Sequence, residues 1–227
     1  MSDLSISYLI TCHNETNTLG RLLERIINNR FDGDEIVVLD DFSDNENTKK
    51  LLNEIHSPTQ NICVYQHALN NDYGSHKNYG NEKCRKMWVF QIDADERPSE
   101  TLIFNIREII ETNAYTELIY VPRINDFKGV SQEHAKQWGW KLTPSPFCEG
   151  RMIVNWPDYQ SRIYKNTPKI KWDRRLHEKI KGHDQYAFLP ADEDLSLYHD
   201  KTIEKQIETN LRYNKDFSVD ENKGYKI

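Results

Sequence analysis

Four short apolar runs alternate with stretches of helical periodicity over residues 1–97, and this alternation limits the folds open to the chain. The runs are 5–12 (SISYLITC), 35–39 (EIVVL), 61–66 (NICVYQ) and 88–92 (WVFQI). Between them, 14–29 places Leu19, Leu22, Leu23, Ile26 and Ile27 at helical spacing behind cap-forming residues, and 47–55 and 74–86 also suit helices. Strands alternating with helices specify a mostly parallel sheet covered on both faces. The expected class is therefore α/β, in the pattern of a nucleotide-binding half-domain.

Beyond Pro98 the regularity drops. A helix is expected over 99–113, with Leu102, Ile103, Ile106, Ile109 and Ile110 on one stripe, and a strand over 118–122. The stretch 126–157 is long, aromatic and rich in turn residues. Short runs at 160–164 and 186–190 precede a last helix at 201–215 and a polar tail over 216–227. That helix interleaves Lys201, Lys205, Arg212 and Lys215 with Ile203, Ile207 and Leu211, which suits packing on the domain or peripheral contact with a membrane. No linker, repeat or low-complexity segment interrupts the chain, so one domain over 1–215 is expected.

The bulk numbers exclude several classes. At 227 residues the chain is long enough to bury a real core. Its 30 basic and 36 acidic residues give a net charge of −6, which argues against a dedicated nucleic-acid binder but leaves room for a local basic groove. No apolar run approaches the roughly 18 residues needed to span a bilayer. Met1-Ser2-Asp3-Leu4 carries neither the basic region nor the apolar core of a leader. Cys12, Cys63, Cys84 and Cys148 lie far apart and form no C-x-x-C pair, as suits reduced thiols in a cytoplasmic protein.

The fourth run leads straight into Asp93-Ala94-Asp95-Glu96. Residues two apart share a face of a strand, so Asp93 and Asp95 would point one way at the strand end. A hard divalent cation such as Mg²⁺ or Mn²⁺ would relieve their repulsion and bridge them to a substrate's phosphates. Alone, the same residues also suit a solvated acidic turn. Two other runs end in polar groups at the same edge, Thr11 with Asn14 and Glu15, and Asp40-Asp41 with Ser43 and Asp44. In open α/β sheets, ligands bind beyond the carboxyl ends of the strands. Asp41 suits an acceptor for a base N–H or a helix cap, and Asn14-Glu15 also suit a helix start.

The ordered set Ile10-Thr11-Cys12-His13-Asn14-Glu15, Val38-Leu39-Asp40-Asp41-Phe42-Ser43-Asp44, Gly74-Ser75-His76-Lys77-Asn78-Tyr79-Gly80 and Gln91-Ile92-Asp93-Ala94-Asp95-Glu96 resembles the family 2 glycosyltransferases of GT-A fold. The likeness continues through 155–164 (NWPDYQSRIY), Leu176-His177-Glu178 and Tyr198-His199, covers roughly 5–215, and is closest to the small soluble branch that includes lipopolysaccharide-core glucosyltransferases. It implies a Rossmann-like GT-A domain, with 1–97 as the nucleotide-sugar half, 98–200 as the acceptor half and 201–215 as a C-terminal helix. It also implies residue roles. Thr11 and Asp41 hold the nucleobase, while Asn14 and Glu15 line the nucleotide or sugar pocket. Lys77 stands where the family often has an arginine near the pyrophosphate or base. Asp93 touches the ribose or the metal, Asp95 is the main metal ligand, and His199 completes metal or diphosphate binding. Without the likeness, His199 would be an ordinary core or surface histidine.

The reaction the likeness implies is inverting transfer from a nucleoside diphosphate-sugar, with uridine as the base, to a hydroxyl of a glycan or other acceptor, with Mn²⁺ or Mg²⁺ as cofactor. The base candidates are Glu178, in a stretch (172–180, WDRRLHEKI) like the family's His-Glu segment, then Asp158, then Asp173. The aromatic stretch from Trp138-Gly139-Trp140 to Trp156 suits an acceptor platform or lid, or a satellite hydrophobic cluster. A nucleotidyltransferase and a non-catalytic nucleotide-sugar or glycan-binding module are the competing readings.

Overall fold

A computed structural model describes residues 4–222. Met1, Ser2 and Asp3 of the leader reading and 223–227 of the expected tail lie outside the described residues. The first half alternates as the apolar runs predict: β1 (Ile6–Cys12), α1 (Thr16–Asn29), β2 (Glu35–Asp40), α2 (Glu46–Ile55), β3 (Ile62–Gln66), α3 (Tyr73–Lys83) and β4 (Trp88–Asp93). Side chains of capping residues close five α-helix starts among the described residues, Ser131 accepting from His134 N and Thr202 from Lys205 N in the second half. Asn45 accepts from Asn47 N and Thr48 N, Asp72 from Ser75 N, and Ser99 from Leu102 N.

Strand alternation divides the core into two layers. Ile6, Tyr8 and Ile10 of β1 pack with Ile36, Val38, Phe90 and Ile92 under the apolar stripe of α1. Leu9, Val37, Leu39 and Val89 face the other way, and Gly80 of α3 packs closely on Leu9. Helices therefore cover both faces.

The second half comprises β5 (Glu96–Pro98), α4 (Glu100–Thr112), β6 (Leu118–Lys128), α5 (Gln132–Trp138), β7 (Leu142–Pro144), β8 (Met152–Lys165), β9 (Lys171–Asp173), β10 (Lys179–Lys181), β11 (Tyr186–Phe188), β12 (Leu197–Thr202) and α6 (Ile203–Asp216). The main sheet runs β3-β2-β1-β4-β8-β6-β12-β5, with β11 on β6 and β7 on β8, while β9 and β10 form a separate ribbon. β1, β2, β3 and β4 pair in parallel, and β8 enters antiparallel to β4 and β6. The sheet is mostly parallel, as expected, with its antiparallel pairs in the second half.

The structure sharpens one expectation and corrects two. The stretch 126–157 is more regular than its turn residues suggest: it holds the end of β6, all of α5 and β7, and the first part of β8. Strands β6 and β8 escape pattern recognition because Asn125, Asp158 and Gln160, just outside this stretch on either side, line a cleft, where apolar residues would otherwise mark the alternation. Residues 201 and 202 belong to β12, whose polar sequence hides it, and the last helix starts at Ile203. The tail is folded against the body as far as Asn222: Phe217 is buried and stacks on Tyr73, and Glu221 pairs with Arg175 at 2.9 Å. Phe217 is an apolar anchor in an otherwise polar segment. Among the described residues, no helix is long and apolar enough to cross a membrane.

Candidate functional site

After β3 the chain returns to the opposite side of β1 to form β4. Such a reversal leaves a crevice beyond the carboxyl ends of the two central strands. A cleft of about 1140 Å³ opens there. Thr11 and Asp93 are register partners at its floor, and the Thr11 hydroxyl donates to Asp93 Oδ1 at 2.9 Å. Asp93 also accepts from Gln91 at 2.9 Å and pairs with Lys77 at 3.2 Å and Arg162 at 2.8 Å. Burial would raise its pKa, but Lys77 and Arg162 outweigh it and hold the carboxyl well below the usual range.

Lys77 is 3% exposed and spans two elements, with its ammonium 2.6 Å from Glu178 Oε1 and 4.7 Å above the Trp172 ring. Burial opposes the charge on Lys77, yet Asp93 and Glu178 keep its pKa raised. Oε2 of Glu178 accepts no hydrogen bond among the described residues. Asp158 differs. Its Oδ2 accepts from Arg123 at 3.0 and 2.7 Å and from Asn125 at 2.8 Å, and its Oδ1 accepts from Gln160 at 2.9 Å. Against the effect of burial, Arg123 and Asn125 lower its pKa. Asp173 lies outside the cleft, where it is tied to Lys181 at 2.5 Å.

Asp95 and His199 meet in the cleft, with Asp95 Oδ2 3.4 Å from His199 Nε2. Burial alone would raise the Asp95 pKa, and His199 reverses this and depresses it strongly. The His199 orientation is determined by a partner in register. Asn125 lies beside it on β6, and Nδ1 meets Asn125 Oδ1 at 2.8 Å. The Asn125 amide nitrogen donates to Val154 O and Asp158 Oδ2, so its oxygen must be the acceptor and Nδ1 the donor. With Nδ1 held by Asn125, Nε2 is the ring nitrogen that faces Asp95, the orientation that ligating histidines need.

A divalent cation fits this pair in part. Asp95 and His199 supply one oxygen and one nitrogen donor, and no group of three or more His, Cys, Asp or Glu suited to a metal occurs among the described residues. Asp93 is engaged by four donors, Thr11, Gln91 and Lys77 on Oδ1 and Arg162 on Oδ2. The expected Asp93–Asp95 pair is thus divided: the turn after β4 sends one acid to Lys77 and Arg162 and the other to His199.

Other expected residues are distributed unevenly. Asp41 lines the cleft, with Oδ1 accepting from Leu69 N at 2.8 Å. Glu15 lines it too, accepts from His13 N at 2.6 Å, and has a pKa raised chiefly by burial. Asn14 stands between His13 and Glu15, beside the cleft lining. Its amide ties the β1–α1 loop to Asp44 and Asn45, and its φ is +66°. Trp138 and Trp140 do reach the cleft, 4.7 Å apart edge to face, and Phe127 connects Trp140 to His199.

Several cleft residues carry no local signal in the sequence. Arg162, also 3% exposed, joins Gln91, Asp93 and Glu96, and Arg123 joins Glu96 to Asp158. Helix α6 forms a wall of the cleft through Lys205, Thr209, Arg212 and Tyr213. The 205, 209, 212 spacing places three of these on one helical face, a pattern that could have been found.

The family model described as glycosyl transferase family 2 matches residues 7–181. The chain belongs to this family. Its match ends before His199 and α6, so that wall of the cleft lies outside the matched segment. Among curated proteins, none matches the chain. Among solved structures, TarS of S. aureus is similar, with a TM-score of 0.59 at 14% identity over 88% of this chain and 37% of that one. TarS 1–349 in complex with UDP-GlcNAc gives 0.59 at 16% identity over 87% of this chain and 59% of that one. The complex with UDP gives 0.58 at 16% identity over 90% and 63%. The chain thus spans only part of the length of these structures. At this identity they show the fold, and the family 2 chain has the GT-A arrangement.

Proposed function

We propose that this family 2 chain is an inverting, metal-dependent glycosyltransferase that moves a sugar from a uridine-based nucleoside diphosphate-sugar to an acceptor hydroxyl. One observation carries the reading. The cleft brings together Asp41, the Asp95–His199 pair and Glu178, from four separate parts of the chain. In this reading 1–97 form the donor half, with Thr11, Asp41 and Glu15 around the nucleotide. Residues 98–200 form the acceptor half, with Trp138 and Trp140 as a sugar platform. Resemblance to lipopolysaccharide-core enzymes supports a glycan of a surface polysaccharide or lipopolysaccharide as acceptor.

The acceptor oxygen attacks the anomeric carbon as the bond to the diphosphate breaks on the opposite side. Glu178 takes the acceptor proton on Oε2, while Lys77 holds Oε1 and so sets the orientation of the carboxylate. Asp158 is the poorer base because donors occupy both of its oxygens. A Mn²⁺ or Mg²⁺ ion held by Asp95 and His199 would offset the charge gathering on the leaving diphosphate. Asp93 anchors Lys77 and Arg162 rather than the ion.

Thermal unfolding against nucleoside diphosphates and nucleotide-sugars, with and without Mn²⁺, tests the reading. Saturating ligand at about 100 times its dissociation constant stabilises the native state by about 2.7 kcal/mol, a shift of roughly 5 to 10 °C for a domain of this size. Turnover of the bound donor with an acceptor should release nucleoside diphosphate. Release of pyrophosphate would make the protein a nucleotidyltransferase, and donor binding without turnover a binding module.

A further inference from the structure

The cations that line the cleft fall into two sets. Lys77, Arg123 and Arg162 are each held by carboxylates at 3.2 Å or closer. Lys201, Lys205 and Arg212 have no carboxylate within 4 Å among the described residues. Lys201 ends β12 two residues beyond His199, and Lys205 and Arg212 lie seven residues apart on α6. Seven residues are close to two helical turns, so both side chains leave the same face, separated by about 10 Å along the axis. All three line the cleft.

Their surroundings locate the cluster on the donor side. Lys201 lies in the field of Asp95, Lys205, Arg123 and Arg212. Lys205 lies in the field of Glu15, beyond the end of β1, and the Arg212 guanidinium reaches the Tyr73 hydroxyl at 3.4 Å at the start of α3. The helix therefore crosses the nucleotide end of the cleft, from the Asp95–His199 pair to α3. Glu208 and Asp216 line the same wall without pairing to these cations. Three like charges at one wall, with no carboxylate within ion-pair distance among the described residues, are stabilised by an anion, and two adjacent phosphates supply the charge and the acceptor oxygens that long lysine and arginine side chains can share.

We propose that Lys201, Lys205 and Arg212 form an anion clamp that grips the donor's diphosphate directly, so that nucleoside diphosphate binds this protein without a divalent cation. The clamp rests on the donor reading above and adds to it a second, metal-free hold on the same group. Its residues lie outside the segment that matches the family model.

Calorimetric titration of the full chain with UDP, inorganic pyrophosphate and uridine, in EDTA and then in Mn²⁺, tests it. In EDTA the wild-type chain should bind UDP and pyrophosphate. The double variant Lys205→Gln/Arg212→Gln should lose about 10- to 100-fold in affinity for both, with uridine changed less than twofold. Affinity for UDP should fall steeply with salt. Both side chains are exposed, so folding is expected to survive, and an unchanged melting temperature checks it; each single variant carries the same test at about 10-fold. Equal UDP affinity in the double variant, or UDP binding that appears only with Mn²⁺, overturns the clamp and leaves the transferase reading standing. No binding of UDP or pyrophosphate with or without Mn²⁺ overturns both.

Discussion

Glu178 and Asp158 are both acids of one cleft, yet their neighbours give them different chemistry. One oxygen of Glu178 is held by Lys77 and the other is open, whereas both oxygens of Asp158 are occupied. Glu178→Gln should therefore keep donor binding but lose transfer by about 10² or more. Asp158→Asn should mainly cost stability, by about 1–3 kcal/mol, through the lost Arg123 pair. Parallel measurements of donor affinity, turnover and urea unfolding decide between them, and near-normal turnover by Glu178→Gln would move the base elsewhere. A second residue-scale effect belongs to His76. Burial, more than its charged neighbours, pushes its pKa down to about 4, so the folded chain holds it neutral. Its contribution is complete above the ordinary histidine value near 6.5 and is lost as pH falls toward about 4, by about 3 kcal/mol in total. Urea unfolding at pH 7.5, 5.5 and 4 should show wild type losing this increment relative to His76→Gln. A constant gap between the two proteins would refute the assignment.

At the scale of elements, α3 positions the base as well as Lys77. The backbone N–H of Tyr73 donates to Arg175 O at 2.9 Å, and the Asn78 amide makes two bonds to the backbone of Trp172. The loop between β9 and β10 can come this close because residue 74 is glycine: a Cβ there would lie 2.4 Å from Arg174 O. The loop itself turns through left-handed conformations at Arg174 and His177, with φ of 79° and 52°. Gly74→Ala should push this loop off α3 and displace Glu178. The expected result is at least a 10-fold loss of turnover with donor affinity little changed, and a stability cost of about 1–3 kcal/mol from overpacking. Steady-state kinetics with donor titration reads the split; a variant with unaltered turnover would show that the loop moves without consequence.

At the scale of the whole molecule, a chain of alternating charges crosses the sheet: Glu178, Lys77, Asp93, Arg162, Glu96, Arg123 and Asp158. It joins α3, β4, β5, β6 and β8 and connects the donor end of the cleft to the acceptor end. Arg162 stands at its centre, and removing it leaves Asp93 and Glu96 charged in a buried site. Arg162→Met should cost about 3–5 kcal/mol, a large share of the roughly 5–15 kcal/mol that holds a domain folded. Urea unfolding measures this directly, and a loss below about 1 kcal/mol would mean that water or rearranged partners already screen the network.

The sequence by itself determined the first half of this protein. Its inner strands β1, β2 and β4 are buried on both faces, so apolar runs mark them locally, and Thr11, Asp41, Asp93 and Asp95 stand at strand ends where any such sheet places ligands. The acceptor half was less legible because β6 and β8 direct Arg123, Asn125, Asp158 and Arg162 inward to the cleft, and polar inward residues erase the periodicity that identifies a strand. Only the tertiary structure decided which charge meets which. Lys77 and Glu178 are 101 residues apart, Asn125 and His199 74, and Arg162 and Asp93 69. Local pattern carries no information about such pairs, because strand order and register, not sequence distance, determine which side chains share a buried space.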